Sequence, residues 1–282
     1  MNTGREHSEQ QSKQSRWGFR GKTVWNWLEL LIVPLMLAVI GLWFSIQQDT
    51  RQQRIEAKRA ETEQNLAEQR GQDEALQAYL DEMGALLLDE DRPLRQSKES
   101  DEVRTLAKAR TVTVLRRLDS SRNRDVLQFL REARLVPSNR YDFQEHIVGL
   151  DASNLSQADL GGANMDSFDL QGTDLSNADL TGAYLAWSVL RNARLNGANM
   201  RGADLHGDTD LSQADLSNAN LSGANLQGAT LTNADLNGAN LTDAEGVSGE
   251  QLAEVKSLEG ATMPNGQKYE DWLKDKESRG GD

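Results

Sequence analysis

Residues 173–205 read TDLSNADLTGAYLAWSVLRNARLNGANMRGADL, and a five-residue period runs through them. Leu or Met recurs at 175, 180, 185, 190, 195, 200 and 205. Outward from there the register holds over 150–205 and, after one extra residue in His206-Gly207-Asp208-Thr209-Asp210, over 211–241. Every registered position is Leu except Met165 and Met200. Ala mostly stands two residues before it, Asp or Asn one before, and Gly or Asn recurs two after. A period of five matches neither an amphipathic helix nor a regular strand. It predicts a coil of short flat sides with a corner after each. Leu and the Ala two before it then point inward, and the other three positions face solvent. Gly and Asn suit the corners because they tolerate backbone angles that β-branched residues resist.

The block A-(D/N)-L-x-x, as in Ala178-Asp179-Leu180-Thr181-Gly182 or Ala224-Asn225-Leu226-Gln227-Gly228, resembles the pentapeptide repeat family. The resemblance covers residues 147–246. It implies a mainly β solenoid, a right-handed quadrilateral β-helix with four pentads per coil and about five coils stacked in one dimension. Leucines one coil apart would then stack into ladders, one through Leu155, Leu175 and Leu195 and another through Leu160, Leu180 and Met200, with Leu216 and Leu236 beyond the insertion. An open β-coil invites pairing with another chain, so both ends need caps. The helices ending near Val136 can supply the first. After the rod, residues 247–282 can supply the second: a capping box at Ser248-Gly249-Glu250-Gln251, a strand-like turn over 258–263, and Tyr269, Trp272 and Leu273 over the last leucines.

Upstream the chain changes character. After a polar tail over 1–23, residues 24–46 are apolar apart from Asn26, Glu29 and Ser45, with Trp25, Trp27 and Trp43 near the two ends. That length covers a bilayer's hydrocarbon core, and Pro34 is tolerated in such a helix. The segment is read as a transmembrane helix contacting membrane lipid, and a cleaved signal peptide is disfavoured because no small-x-small site follows. Lys13, Arg16, Arg20 and Lys22 before it balance Arg51, Arg54, Lys58 and Arg59 after it, so positive charge does not choose a side. The protein is read as a single-pass protein of a bacterial membrane, its soluble part placed by a narrow margin in the cytoplasm. Gly41 and Ser45 form one small-residue pair that would favour a homo-oligomer.

Residues 47–91 read as a helical stalk, solvated to about Arg70 and followed by a further helix over Glu74–Leu88. Residues 92–146 read as a basic helical module with amphipathic helices over Val103–Leu118 and Asn123–Val136. Leu106, Val112, Leu115, Leu118, Val126, Leu127, Phe129, Leu130 and Leu135 would form its core. Over 92–140 there are 13 Lys+Arg against 6 Asp+Glu, a balance of +7. That charge suits lipid headgroups, an acidic partner, a solvated helix face, or the acidic rod that follows.

The whole chain of 282 residues has 31 Lys+Arg against 44 Asp+Glu, a net charge of −13, and only 5% aromatic residues, which argues against one aromatic-rich globular core. Without cysteine there is no disulfide, Cys-ligated metal or thiol nucleophile, and His7, His146 and His206 are too scattered to suggest a metal site. No catalytic grouping, phosphate-cradling loop or cofactor motif stands out, so the protein is read as non-enzymatic and without cofactor. Residues 147–245 hold 13 Asp+Glu and 3 Arg, a net −10, which argues against nucleic acid as a ligand. Regularly spaced carboxylates also resemble those of DNA-mimicking repeat proteins that bind topoisomerases, a lesser alternative. The candidate site for an unidentified protein partner is where the pattern breaks. Tyr184, Val189 and Arg194 replace Asp or Asn at three successive positions, flanked by Trp187 and Arg191. The functional expectation is a membrane-anchored interaction or scaffolding module. The alternative is a tethered regulator or oligomer driven by the transmembrane and stalk helix, with the rod as a rigid cap.

Overall fold

The computed structural model describes residues 24–90, 94–98, 101–136 and 147–278. The N-terminal tail with Lys13, Arg16, Arg20 and Lys22, His7, His146 and the breaks at Arg92-Pro93 and Pro137 lie outside the described residues, as do the side chains of Trp25, Trp27 and Glu29. The chain divides into two compact units, residues 1–66 and residues 67–282.

Helix α1 runs Val24–Leu88 without interruption through Pro34. The break expected between Arg70 and Glu74 is absent. Gly71 costs a helix about 1 kcal/mol relative to Ala, and the Gln-, Glu-, Arg- and Ala-rich sequence around it propagates the helix through. In the first unit the apolar side chains from Leu31 to Ile46 are exposed, as is Ile55. The helix is long and apolar enough to cross a membrane, with an 18-residue window of mean hydropathy 1.8 that is 0% buried.

In the second unit the end of α1 packs into the core, with Tyr79 and Met83 buried. The Tyr79 hydroxyl shares a 2.9 Å hydrogen bond with Thr111, and its ring meets Phe129 edge-on at 6.2 Å. Burial pushes the Tyr79 phenol above its ordinary range. Helices α2 (Glu102–Leu115) and α3 (Ser120–Glu132) are both shorter than the sequence pattern suggests. Asp119 caps α3 by accepting from the Arg122 amide at 3.0 Å. The Asn123 amide donates back to the carbonyls of Leu115 and Leu118, closing α2 early. Beyond Glu132, Arg134 takes φ 54, and the amides of Arg134 and Leu135 return to Arg131 and Leu130, ending α3 in a Schellman turn. Leu115, Leu118, Val126, Leu127, Leu130 and Leu135 are buried as expected, but Leu106 is 42% exposed on the outer face of α2.

From Leu150 the backbone coils. Parallel bridges join Asn154 to Asp174 to Arg194, then Asp215, Asp235 and Ser257. The step is twenty residues until the insertion adds one, as between Val189 and Asp210. Each side is a single bridge long. The ladder alternates between sequence neighbours: the Leu155 amide donates to Asp174 O at 2.7 Å, and the Asp174 amide to Ser153 O at 2.8 Å. Corner residues two after each Leu take positive φ, as at Gln157, Asn177 and Gly182. Leu155, Leu175, Leu195, Leu216 and Leu236 are fully buried, and so are Leu160, Leu180 and Met200. Each such side chain contributes about 1.5–3 kcal/mol. Where Ala is replaced at the inward position, the substitutes are satisfied locally. Thr173 donates to Leu150 O, Ser188 to Leu185 O, and Thr209 to Leu185 O and His206 O.

The helices close the first coil. Asn123 Nδ2 donates to Asp159 O at 2.7 Å, Arg124 to Gly161 O, Lys108 to Asp151, and Arg131 to Asn164 Oδ1. Part of the module's positive charge is therefore used inside the second unit, against the rod. Phe168, the bulky residue at an inward position, lies under the Arg131 guanidinium at 5.5 Å. At the far end α4 (Gly249–Ala253) opens with the Ser248–Gln251 capping box. Thr262 bridges Asn240 on one side and Lys268 on the other, and α5 (Tyr269–Ser278) follows with Tyr269 stacked on Trp272.

Candidate interaction surface

The prevalence of Asp and Asn before each Leu has a local cause. Their Oδ1 accepts the amide two residues on, which closes the corner as an Asx turn. Asp174 takes the Ser176 amide at 3.0 Å, Asp179 that of Thr181 at 2.9 Å, Asp215 that of Ser217 at 3.0 Å, and Asn225 that of Gln227 at 3.2 Å. Much of the rod's acidity is thus turn chemistry. Hydrogen bonding from Ser176 holds the Asp174 carboxyl below the usual range, and Lys256 at 2.9 Å does so for Asp235. At Asp210 burial pushes upward, but Ser212 and Arg191 outweigh it and the carboxyl is lowered.

Tyr184, Val189 and Arg194 cannot form this turn. They stand on three different sides of the coil: Tyr184 bridges Asn164 and Asp204, Val189 bridges Asp169 and Asp210, and Arg194 bridges Asp174 and Asp215. Residues five apart in a four-sided coil fall on successive sides, so the five residues expected to form one patch do not all face one way. Arg191 pairs with Asp210 at 2.8 Å, and Arg194 lies 3.9 Å from Asp174. The Ala186 amide left uncapped by Tyr184 is taken by Asp166 Oδ1 from the preceding coil, at 2.9 Å. Burial raises the Asp166 carboxyl above its usual range, against the Ala186 amide and the charge of Arg131.

What the structure does gather is the corner between the Tyr184 and Val189 sides. Trp187 occupies a corner position normally held by Gly or Asn and takes φ 58, a conformation uncommon for a bulky side chain. Its ring meets His206 edge-on, with centroids 4.8 Å apart. His206 Nδ1 bonds Asp204 Oδ1 at 2.7 Å, and that oxygen also accepts from Asn225 at 3.2 Å. Asp204 in turn is the bridge partner of Tyr184. A Cβ on Gly207 would collide with the Trp187 indole. The one-residue insertion thus lies directly beneath the tryptophan. Sequence reasoning singled out both features but had no means of joining them, because they are brought together only by the twenty-residue step. No cluster able to hold a metal occurs among the described residues.

The repeating register, with its bridges, is also what comparisons with known proteins recognise. The pentapeptide repeats model matches residues 150–183, 169–207 and 208–244, in 8 copies. A pentapeptide repeat protein from Nostoc Pcc 7120 is 33% identical over 46% of this chain and 92% of its own, with a TM-score of 0.33. The chain belongs to the pentapeptide repeat family. The family carries the right-handed β-helix. A pentapeptide repeat protein from the cyanobacterium Cyanothece 51142 is 39% identical over 35% of this chain, with a TM-score of 0.28; the chain spans 62% of that protein's length. One from the Arabidopsis thaliana thylakoid lumen is 29% identical over 45% of this chain and 88% of its own, with a TM-score of 0.31. A search of curated proteins found no match.

Proposed function

We propose that this pentapeptide repeat protein is a non-enzymatic interaction module, held in a bacterial membrane by residues 24–46 and presenting its capped rod to a protein partner. Pentapeptide repeat proteins are generally interaction modules. The observation that carries the reading is the contrast on the rod's surface. Most of its polar side chains close their own corners, while Tyr184, Trp187 and His206 break the pattern together on one edge. Exposed aromatic residues are enriched where proteins bind one another. The apolar and wholly exposed window of α1 supports the anchor.

A DNA-mimic role fits less well. The side running through Asp159, Asp179, Asn199, Asn220 and Asn240 loses its charge along the rod, so carboxylates do not line it continuously. The second reading, assembly driven by α1 with the rod as a cap, draws on Gly41, around which space is open for a neighbouring helix. Ending the chain after residue 146 and measuring oligomer size in detergent separates the two. Oligomers that persist in the shortened chain favour assembly through α1, and loss of association with the rod favours the interaction module.

A further inference from the structure

Carboxylates occur on every side of the rod, as at Asp174, Asp179, Asp204 and Asp210. Charge alone therefore does not choose a docking point. The Tyr184–Trp187–His206 corner differs in three respects. It presents aromatic faces, Tyr184 being 50% exposed and Trp187 and His206 partly so. Among the described residues, nothing hydrogen-bonds to the Tyr184 hydroxyl, the Trp187 indole N–H or the His206 Nε2, whereas Asp166, Asp204 and Asp210 are each engaged. The corner is also built at a cost. Trp187 places a bulky side chain at the left-handed position that every corner of the rod shares, its amide reaches His206 O at 3.4 Å where the Ser167 and Gly207 amides in the same corner column span 2.9 and 2.8 Å, and Gly207 is required to make room. Strain of this kind persists where the surroundings enforce it, and it concentrates at binding sites.

The nearby charges specify the kind of partner. Asp166 caps the Ala186 amide, Asp204 holds His206, and Asp208 and Asp210 follow in the insertion, while the cations acting on these carboxylates, Arg131 on Asp166 and Arg191 on Asp210, are already engaged there. Aromatic faces in a negative field attract flat cations. Arg stacks on such faces better than Lys, whose ammonium is a compact and strongly hydrated point charge. We infer that this corner docks an arginine-bearing segment of a protein partner, with a guanidinium over Trp187 or Tyr184 and its N–H groups toward the flanking carboxylates. The inference rests on the interaction-module reading and adds the chemistry of the partner to it.

The test uses the full chain in detergent and three labelled peptides, nona-arginine, nona-lysine and nona-glutamate, with binding measured by fluorescence anisotropy at physiological salt. Nona-arginine is expected to bind best, nona-lysine several-fold more weakly, and nona-glutamate not at all. Trp187→Leu and Tyr184→Ser should each weaken nona-arginine binding about three- to five-fold, the size of a partly exposed cation–π contact. Asp215→Asn, on another side of the rod, should change it less than two-fold. Tyr184→Ser removes a side chain that is half exposed, so it keeps the test valid if Trp187→Leu disturbs the corner. The inference is overturned if arginine and lysine peptides bind equally, or if both aromatic variants bind like the parent. It is also overturned if Asp215→Asn costs as much as they do, since binding is then diffuse charge attraction. Should the inference fail while crosslinking of a protein to the full chain in cells still requires the rod, the interaction-module reading stands and only the partner chemistry is wrong.

Discussion

The rod and the helices that cap it belong to one compact unit, yet they are stabilised in different ways. In the rod every coil repeats the last, so a buried Leu is held by its copies above and below, and a polar side chain is satisfied within its own corner. In the cap each contact is made by a residue that no repeat copies. Asn123 is the clearest: one buried amide closes α2 and bonds the first coil. The difference teaches that a repeat gains its tolerance from redundancy, and that a capping element has none.

The largest expected effect breaks the rod's redundancy from inside. Leu180→Asp places a charge in a dry leucine ladder and should cost about 4 kcal/mol or more. The β-type circular dichroism should be lost well below the parent's melting temperature while the helical signal persists. A rod that melts as before would end the claim that these ladders hold it.

Asn123→Leu is next, at about 2–3 kcal/mol, because it strips a buried donor from three carbonyls. Hydrogen exchange should quicken at Leu155 and Leu160 in the first coil and stay unchanged at Leu236 and Leu241, since each coil depends on its neighbours. Uniform acceleration would mean that rod and cap open as one body.

A smaller effect separates two glycines of the same conformation. Gly202→Ala, at φ 63 with open space around the new Cβ, should cost about 1 kcal/mol for the left-handed backbone alone. Gly207→Ala, at φ 81, should cost about 1–3 kcal/mol more, because overpacking forces the Trp187 indole to move. Thermal melts of the pair check this, and equal losses would show that Trp187 does not depend on the insertion.

The smallest effect is on pH. Asp174, Asp210 and Asp235 have folded pKa values below their unfolded ones, so the stability they add is present above the ordinary carboxylate range and is lost as pH falls through their lowered values. Asp166 is shifted upward, and its contribution runs the other way, fading as pH rises through its folded value. The net expectation is a modest fall in melting temperature below about pH 4, reduced for Asp235 when Lys256 is replaced by Met. A melting temperature that rises on acidification would contradict it.

The rod was legible because its period is a direct consequence of its geometry: inward Leu, small inward Ala, and corners needing Gly or Asn. The ends of α2 and α3 were less so, since Asn123 and Arg134 set them through contacts that no periodicity reports. The continuity of α1 was obscured by Gly71, whose weak local penalty is offset by strong helix formers on both sides. At the candidate site, Trp187 and the insertion at His206 were each visible as irregularities. Their contact was not, because it depends on which side of the coil each residue occupies. The grouping of Tyr184, Val189 and Arg194 failed for the same reason, as nearness in sequence places them on successive sides.

The central claim is that the rod, and not α1, meets the partner. Proximity labelling in cells, comparing the full chain with the chain ending after residue 146, tests it most directly. The account predicts a set of labelled proteins that disappears when the rod is removed. The same labelled set from both chains would contradict it.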